Sequence, residues 1–177
     1  LYIPVKESKK VYEIIFDEGN NHNLIHAGRL AMDIMRMEKG YLHWGHDISP
    51  EENQYEAGLN FTISYKKNIN FIGKDFLSKI KDKKLKKRFV ILSLMKSKPG
   101  APLILHDEPI YSDGKIVGRT TSGNYSFNFQ KNIAFGYISD NKNINNEELE
   151  IEVEKKRYKA ILEPKPLHDP ENNIMKR

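Results

Sequence analysis

The sequence predicts an α+β fold in which a first half of helices and one strand is followed by a small antiparallel β-barrel. Two early segments place apolar residues at helical spacing. From Phe89 onward no helical period remains, and short strands follow one another between turn signals such as Asp113-Gly114. Several short antiparallel strands are typical of a barrel or a sandwich. We therefore divide the chain into an α+β portion at residues 1–86, a barrel at 87–165 and an extended tail at 166–177.

The α+β portion is predicted to start with an extended segment and two amphipathic helices. Residues 1–5 have the composition of a strand already under way, so we expect the chain to be part of a longer protein. Ser8 is expected to cap a first helix that stops at Gly19. A second helix is expected over residues 27–39, with Gly40 as its end. Its apolar stripe consists of Ala27, Leu30, Ala31, Ile34 and Met37.

A strand, a third helix and a basic linker are predicted for the rest of this portion. Residues 59–65 alternate between apolar and polar side chains, which predicts a strand. A short helix that carries Phe76 and Ile80 is expected after Gly73. The lysine-rich residues 79–88 are interpreted as a linker with a solvated face.

Eight short strands are predicted in the barrel. In the last hairpin, which turns at residues 154–157, apolar side chains alternate with glutamates that include Glu148, so one face belongs to the core. The proline-rich tail is expected to dock on a surface or to fray. The strands are predicted at residues 89–94, 103–106, 110–112, 115–121, 125–129, 133–138, 149–153 and 157–162.

Composition excludes several classes of protein. An apolar fraction of 38% is too high for a disordered chain, and no apolar run is long enough to cross a bilayer, so no membrane partner is expected. The absence of cysteine excludes a disulfide framework, thiol chemistry and a zinc ribbon, and it suits a reducing compartment such as the cytoplasm. No common nucleotide-binding or nucleophile motif occurs, so independent catalysis has no support.

Seven segments between residues 28 and 138 form a set that carries a family resemblance. They are GRLAMDIMRMEKGY (28–41), HWGHDI (43–48), YEAGL (55–59), NFIGK (70–74), DGKIVG (113–118), TTSGNYS (120–126) and AFGYI (134–138). In this order they resemble the C-terminal part of the glycine-cleavage T-protein (aminomethyltransferase) family. The barrel segments look most like the end of dimethylglycine dehydrogenases, and the tail around residues 169–172 is similar to that of sarcosine dehydrogenases.

The resemblance implies a parent flavoprotein of which this chain is the folate-binding end. The preceding part would hold FAD and oxidise an N-methyl glycine, and the present region would help to bind tetrahydrofolate, which captures the released one-carbon unit. The first half of the folate pocket, with an aspartate and a glutamate of the family, would then lie in the preceding part, so the chain is not expected to be active alone. Met32 stands where the T-protein has an arginine, which favours a dehydrogenase parent.

Two other interpretations stay open. The chain could belong to a T-protein or a folate-dependent demethylase, although Met32 argues against the T-protein. It could also be a stand-alone basic module that binds nucleic acid through residues 79–88, because lysine clusters contact phosphates. Asp82 interrupts this run, Asp75 precedes it, and no aromatic platform for base stacking accompanies it, so no nucleic-acid partner is expected.

Five residues are the candidates for the wall of the folate site. Arg36, Glu38, Trp44 and Asp47 are predicted to line it, because a flat pterin is held by an aromatic or apolar wall and a few aimed polar groups. Arg36 and Glu38 have a structural alternative, in which buried ion pairs tie the second helix to the following loop. Trp44 has the alternative of a half-buried structural tryptophan. Glu56 is a fifth candidate, with a backbone contact or ion pair between layers as its alternative.

No metal site is predicted. His43, His46 and Asp47 lie close together in sequence, but three ligands on one irregular loop without a distant fourth make a poor metal site. The two histidines are therefore interpreted as solvent-facing or capping residues.

Overall fold

The computed structural model describes residues 1–67, 69–139 and 149–176. The chain divides into two compact units, the first covering Leu1–Met32 and the second everything from Asp33 onward. Glu148, which belongs to the predicted alternation of the last hairpin, lies outside the described residues. The described helices are all too short or too polar to cross a bilayer.

The first unit contains helix α1 (Ser8–Gly19) between two turns of 3₁₀-helix, Val5–Glu7 and Asn20–His22. The predicted strand at residues 1–5 does not form, because a strand needs a hydrogen-bonded neighbour and none of the described segments pairs with it. The prediction that Ser8 caps α1 is also wrong. Its hydroxyl donates instead to the Val5 carbonyl oxygen at 2.7 Å, and the preceding turn continues into the helix.

Helix α2 runs over Arg29–Glu38, inside the range predicted for it. Its buried side chains are Ile34, Met37 and Glu38, all in its second half, whereas the predicted stripe residue Leu30 is 76% exposed. Only the last part of the apolar stripe is thus covered.

The segment between α2 and the barrel holds one helix and no strand among its described residues. Helix α3 (Lys74–Ile80) follows Gly73, as predicted. Residues 59–65 do not form the predicted strand but contain a 3₁₀ turn, Asn60–Thr62. There the Thr62 amide and hydroxyl both donate to the Leu59 carbonyl, at 3.0 and 2.7 Å, so local bonds replace cross-strand ones.

Six antiparallel strands close into a barrel, which confirms the predicted α+β fold with a small β-barrel. Around the barrel the order is β1-β4-β3-β2-β5-β6. The two-residue turns at 113–114 and 154–155 close the hairpins that the sequence predicted, with left-handed backbone at all four positions. The strands are β1 (Lys87–Leu94), β2 (Pro109–Ser112), β3 (Lys115–Ser126), β4 (Lys131–Ser139), β5 (Leu149–Val153) and β6 (Lys156–Glu163).

Two apolar clusters lie on the two sides of the barrel wall. The larger fills the interior, with Leu92, Ile110 and Ile151 fully buried. The smaller lies outside, where Ile34 and Met37 of α2 pack against Ile91, Ile133 and Phe135 of β1 and β4. Alternate residues of the same strands therefore serve two cores, and the second core places α2 against the barrel.

Strand β3 differs most from its prediction. Residues 115–121 and 125–129 were predicted as separate strands, but one strand continues through Gly123 to Ser126 and then turns. Residues 103–106 form no strand, yet Ile104 is only 1% exposed and packs against Gly123. Gly123 is therefore a point of close approach and not a strand breaker.

Replacing Gly123 by alanine is expected to destabilise the protein by about 1–3 kcal/mol, the usual range for overpacking a core. A Cβ at this position would lie 2.5 Å from the Cβ of Ile104 and 2.6 Å from its carbonyl oxygen, so backbone must shift. Chemical denaturation of the two proteins measures the difference. Gly28→Ala is the matched control, because a Cβ at Gly28 meets nothing within 4 Å. Equal losses for the two variants would contradict the expectation.

The tail docks on the end of α2. Lys39 Nζ forms an ion pair with Asp169 at 2.9 Å, and both side chains are nearly buried, 11% and 5% exposed. Hydrogen bonds from Lys39, then from the Asn173 and Ile174 amides, lower the pKa of Asp169 although burial raises it. The His168 amide also donates to the Glu38 carbonyl oxygen at 2.9 Å. Of the two outcomes expected for the tail, docking is the one observed.

Candidate functional site

The Asp47 carboxylate accepts four hydrogen bonds from other parts of the chain. Asp47 is 1% exposed, in the loop after α2. Its Oδ1 accepts hydrogen bonds from the hydroxyls of Thr121 at 2.5 Å and Ser122 at 2.7 Å. Its Oδ2 accepts the His43 amide at 2.9 Å and pairs with Arg36. A carboxylate with four donors has little hydrogen-bonding capacity left for a ligand.

Arg36 is equally occupied. Its guanidinium donates to Asp33 Oδ1 at 2.8 Å from Nη2 and 2.9 Å from Nε, and to the Ser122 hydroxyl at 2.8 Å. It also pairs with Asp47 and lies over the Phe135 ring, 5.3 Å from the centroid. The structural alternative for Arg36, an ion pair that ties the second helix to the following loop, is therefore present in the molecule.

Glu38 is held by the barrel. Its side chain is 3% exposed, with Oε1 accepting the Ser126 hydroxyl at 2.6 Å and Oε2 accepting Asn128 Nδ2 at 2.9 Å. The Ser126 hydroxyl in turn accepts the Phe129 amide at 3.0 Å, at the turn after β3. The hydrogen bonds from Ser126 and Asn128 offset the cost of burying the Glu38 carboxylate, so its burial does not require a ligand.

A polar ladder on β3 connects these contacts. Ser122, Asn124 and Ser126 are alternate residues of the strand and share one face. They bond in turn to Arg36, to Asp33 (Asn124 Nδ2 to Oδ2, 3.4 Å) and to Glu38. The ladder was not predicted from the sequence, because residues 115–126 were not expected to form one continuous strand. The alternation of small polar side chains through TSGNYS is the signal that would have shown it.

Trp44 and Glu56 differ sharply in exposure. Trp44 is 66% exposed, which is more than the half-buried structural alternative requires. Glu56 is 7% exposed; its Oε2 accepts the Asn53 amide at 3.3 Å and its carbonyl oxygen accepts the Phe89 amide at 2.8 Å. Trp44 is thus the candidate side chain that is open to a ligand.

A cavity of about 520 Å³ lies between the loop at residues 45–52 and the barrel. Asp47 and Thr121 form part of its wall, and the other four candidate residues do not. Among the other lining residues, Lys87 pairs with Glu52 at 2.5 Å and lies 5.0 Å from the centroid of the Tyr137 ring. The network around Asp47 therefore borders a cavity of the size of ordinary ligand sites.

The electrostatic surroundings of Glu52 favour its ion pair with Lys87. Burial raises the pKa of Glu52, but hydrogen bonds from Lys87 and Ser49 outweigh it and lower the pKa below its ordinary value. Burial raises the pKa of the Tyr137 hydroxyl, and the nearby carboxylates of Glu52 and Asp47 raise it further. Tyr137 therefore remains a neutral donor, and its hydroxyl bonds the Asp47 carbonyl oxygen at 2.9 Å.

The loop histidines stack on each other and do not gather as a metal site. The rings of His43 and His46 are 4.6 Å apart, and His106 lies edge-on to His46 at 6.2 Å. Within the described part of the chain, no three histidine or carboxylate side chains come together as metal ligands.

Comparison with known proteins identifies the family. The sequence model described as "Glycine cleavage T-protein C-terminal barrel domain" matches residues 87–169, and that described as "GCVT N-terminal domain" matches residues 1–67. The chain belongs to the glycine-cleavage T-protein family. This confirms the resemblance inferred from the seven segments.

Within the T-protein family, the relatives include dehydrogenases. The chain is 34% identical to dimethylglycine dehydrogenase of Homo sapiens over 100% of its own length and 20% of the relative. It is 32% identical to sarcosine dehydrogenase of Mus musculus over 99% of its length and 20% of the relative. Both relatives are named as mitochondrial. The chain thus corresponds to an aminomethyltransferase-like region and spans about a fifth of the length of these dehydrogenases.

The fold agrees with that of a solved family member. The crystal structure of the glycine cleavage system aminomethyltransferase T from Bartonella henselae superposes with a TM-score of 0.80, at 20% identity. The match covers 95% of this chain and 45% of that one. The α+β fold with a terminal barrel is therefore the fold of the aminomethyltransferase.

Proposed function

We propose that this chain forms one wall of a tetrahydrofolate site in a dehydrogenase of N-methyl glycines. The preceding part of such a protein would hold FAD and oxidise the amine, and the folate would take up the one-carbon unit. The observation that carries the proposal is an exposed tryptophan, Trp44, on a loop that a buried network fixes to the barrel. Membership of the T-protein family supports a folate as the ligand.

The residues present fit a folate in part. A flat ring system needs an aromatic or apolar wall, and the exposed face of Trp44 can supply it. Arg36, Glu38 and Asp47 have their polar atoms bonded within the chain, so we assign them to supporting the wall and not to contacting the ligand. The polar groups that would orient a folate are then contributed by the preceding part.

The T-protein and demethylase alternatives use the same wall. They differ in what precedes it, and Met32 in place of the arginine of the T-protein favours the dehydrogenase. The nucleic-acid alternative is weakened because two lysines of the basic run are engaged within the chain. Lys87 pairs with Glu52, and Lys81 lies 5.7 Å from the centroid of the Tyr65 ring. The cytoplasmic location stays a prediction beside the mitochondrial relatives.

The test is a calorimetric titration of the complete gene product with 5-formyltetrahydrofolate, a stable folate. We expect Trp44→Ala to raise the Kd about tenfold or more, because stacking a flat heterocycle on an aromatic side chain contributes roughly 1–3 kcal/mol. Trp44→Phe should recover most of the affinity. Ile116→Ala is the matched control, since Ile116 is similarly exposed (64%) on the β2–β3 hairpin.

Three results would contradict the proposal. The first is a complete gene product that binds no folate. The second is an unchanged Kd in Trp44→Ala, which would place the folate elsewhere. The third is an equal loss of affinity in Trp44→Ala and Ile116→Ala, which would argue against a specific wall.

A further inference from the structure

A bulge in β3 aims two neighbouring hydroxyls at one carboxylate oxygen. Thr120 and Ser122 pair with consecutive residues of β4, so Thr121 is an extra residue between them. In a regular strand Thr121 and Ser122 would point to opposite faces. Because of the bulge both donate to Asp47 Oδ1, at 2.5 and 2.7 Å. β-Bulges commonly re-aim side chains beside functional sites.

Asp47 in turn closes the loop at residues 43–48. Its Oδ2 accepts the His43 amide at 2.9 Å, and its own amide donates to the His43 carbonyl oxygen at 2.8 Å. Its carbonyl oxygen accepts the Tyr137 hydroxyl, which ties the loop to β4. Trp44 lies inside this loop and is held by the loop backbone, not by burial of its own ring.

We propose that Thr121 and Ser122 are positioning residues that fix Asp47 and thereby set the orientation of Trp44. A wall that is held in place before the ligand arrives loses less entropy on binding. The consequence for folate rests on the proposed function, but the consequence for the loop does not. Thr121 is the residue whose hydroxyl would not reach Asp47 in a regular strand.

Three variants separate this role from a general effect on folding. Thr121→Val removes the hydroxyl at nearly constant shape, and Thr121→Ser restores it. Thr120→Val is the matched control, because the hydroxyl of this adjacent buried threonine bonds the Leu105 carbonyl oxygen at 2.7 Å and not the loop. All three can be made in the 177-residue chain, whose only tryptophan is Trp44.

Two measurements report on the loop directly. In Thr121→Val we expect the His43 and Asp47 amides to exchange about tenfold faster or more, since a hydrogen bond to a charged acceptor is lost. The fluorescence anisotropy of Trp44 should also decay faster. Thr121→Ser should be close to the wild type in both, and Thr120→Val should change neither beyond its effect on global stability.

The outcomes are distinct. Unchanged exchange and anisotropy in Thr121→Val, or the same changes in Thr120→Val, would overturn the positioning role. If Thr121→Val does not fold, Ser122→Ala is measured in its place, because Ser122 holds the same oxygen. A mobile loop together with an unchanged folate Kd in the complete gene product would support the positioning role and contradict the proposed folate wall.

Discussion

Asp47→Ala is expected to lower the free energy of unfolding by about 3–5 kcal/mol, the range for removing one partner of a buried ion pair. Arg36 would keep Asp33 but lose its second carboxylate while its side chain stays 16% exposed. The hydroxyls of Thr121 and Ser122 and the His43 amide would lose their acceptor as well. Urea denaturation followed by far-UV circular dichroism measures the change.

The size of this effect depends on burial, and the controls test that. Asp17→Ala removes an exposed carboxylate from α1 and should change stability by less than about 0.5 kcal/mol. Adding Arg36→Met to Asp47→Ala should recover part of the loss, because the largely buried guanidinium that has lost one of its two carboxylates is then gone. A loss below about 1 kcal/mol in Asp47→Ala would show that the network contributes little.

Local sequence chemistry predicted those features of the fold that short segments determine. The Asp113-Gly114 turn has left-handed backbone at both residues, and few residue pairs adopt it as readily. The same kind of argument failed for residues 59–65. Their alternation suits a strand, but a strand also needs a neighbour, and the Leu59 carbonyl is satisfied within its own turn.

The candidate site depends on contacts that are distant in sequence. Asp47 and Arg36 were predicted from the family resemblance, yet their partner Ser122 is 75 and 86 residues away. No local sequence pattern predicts a contact between residues so far apart in the chain. The sequence therefore predicted the loop and the helix that carry the candidate residues, but it divided the strand that holds them into two. Gly123 shows why: it lies between the two strands predicted at residues 115–121 and 125–129, whereas in the structure it lets a single strand, β3, approach Ile104.

Hydrogen exchange in α1 is expected to be at least about a thousand-fold faster than in β4, because local opening ranges from almost no cost to the full stability of the domain. None of the residues 1–32 is buried. Leu1, Tyr2 and Ile25 are 95%, 108% and 81% exposed. The seven residues from 132 to 138 in β4 are all buried. Mass spectrometry of peptides from the two segments measures the difference.

The exposed apolar side chains of residues 1–32 also bear on the proposed longer protein. A soluble protein rarely leaves this much apolar surface uncovered unless another surface packs on it. If the preceding part of the family fold covers it, α1 amides should be protected in the complete gene product and unprotected in the 177-residue chain. The β4 amides provide the internal reference, since they should be protected in both. Equal protection of α1 in the two proteins would contradict this idea, because residues 1–32 would then be stable without any covering surface.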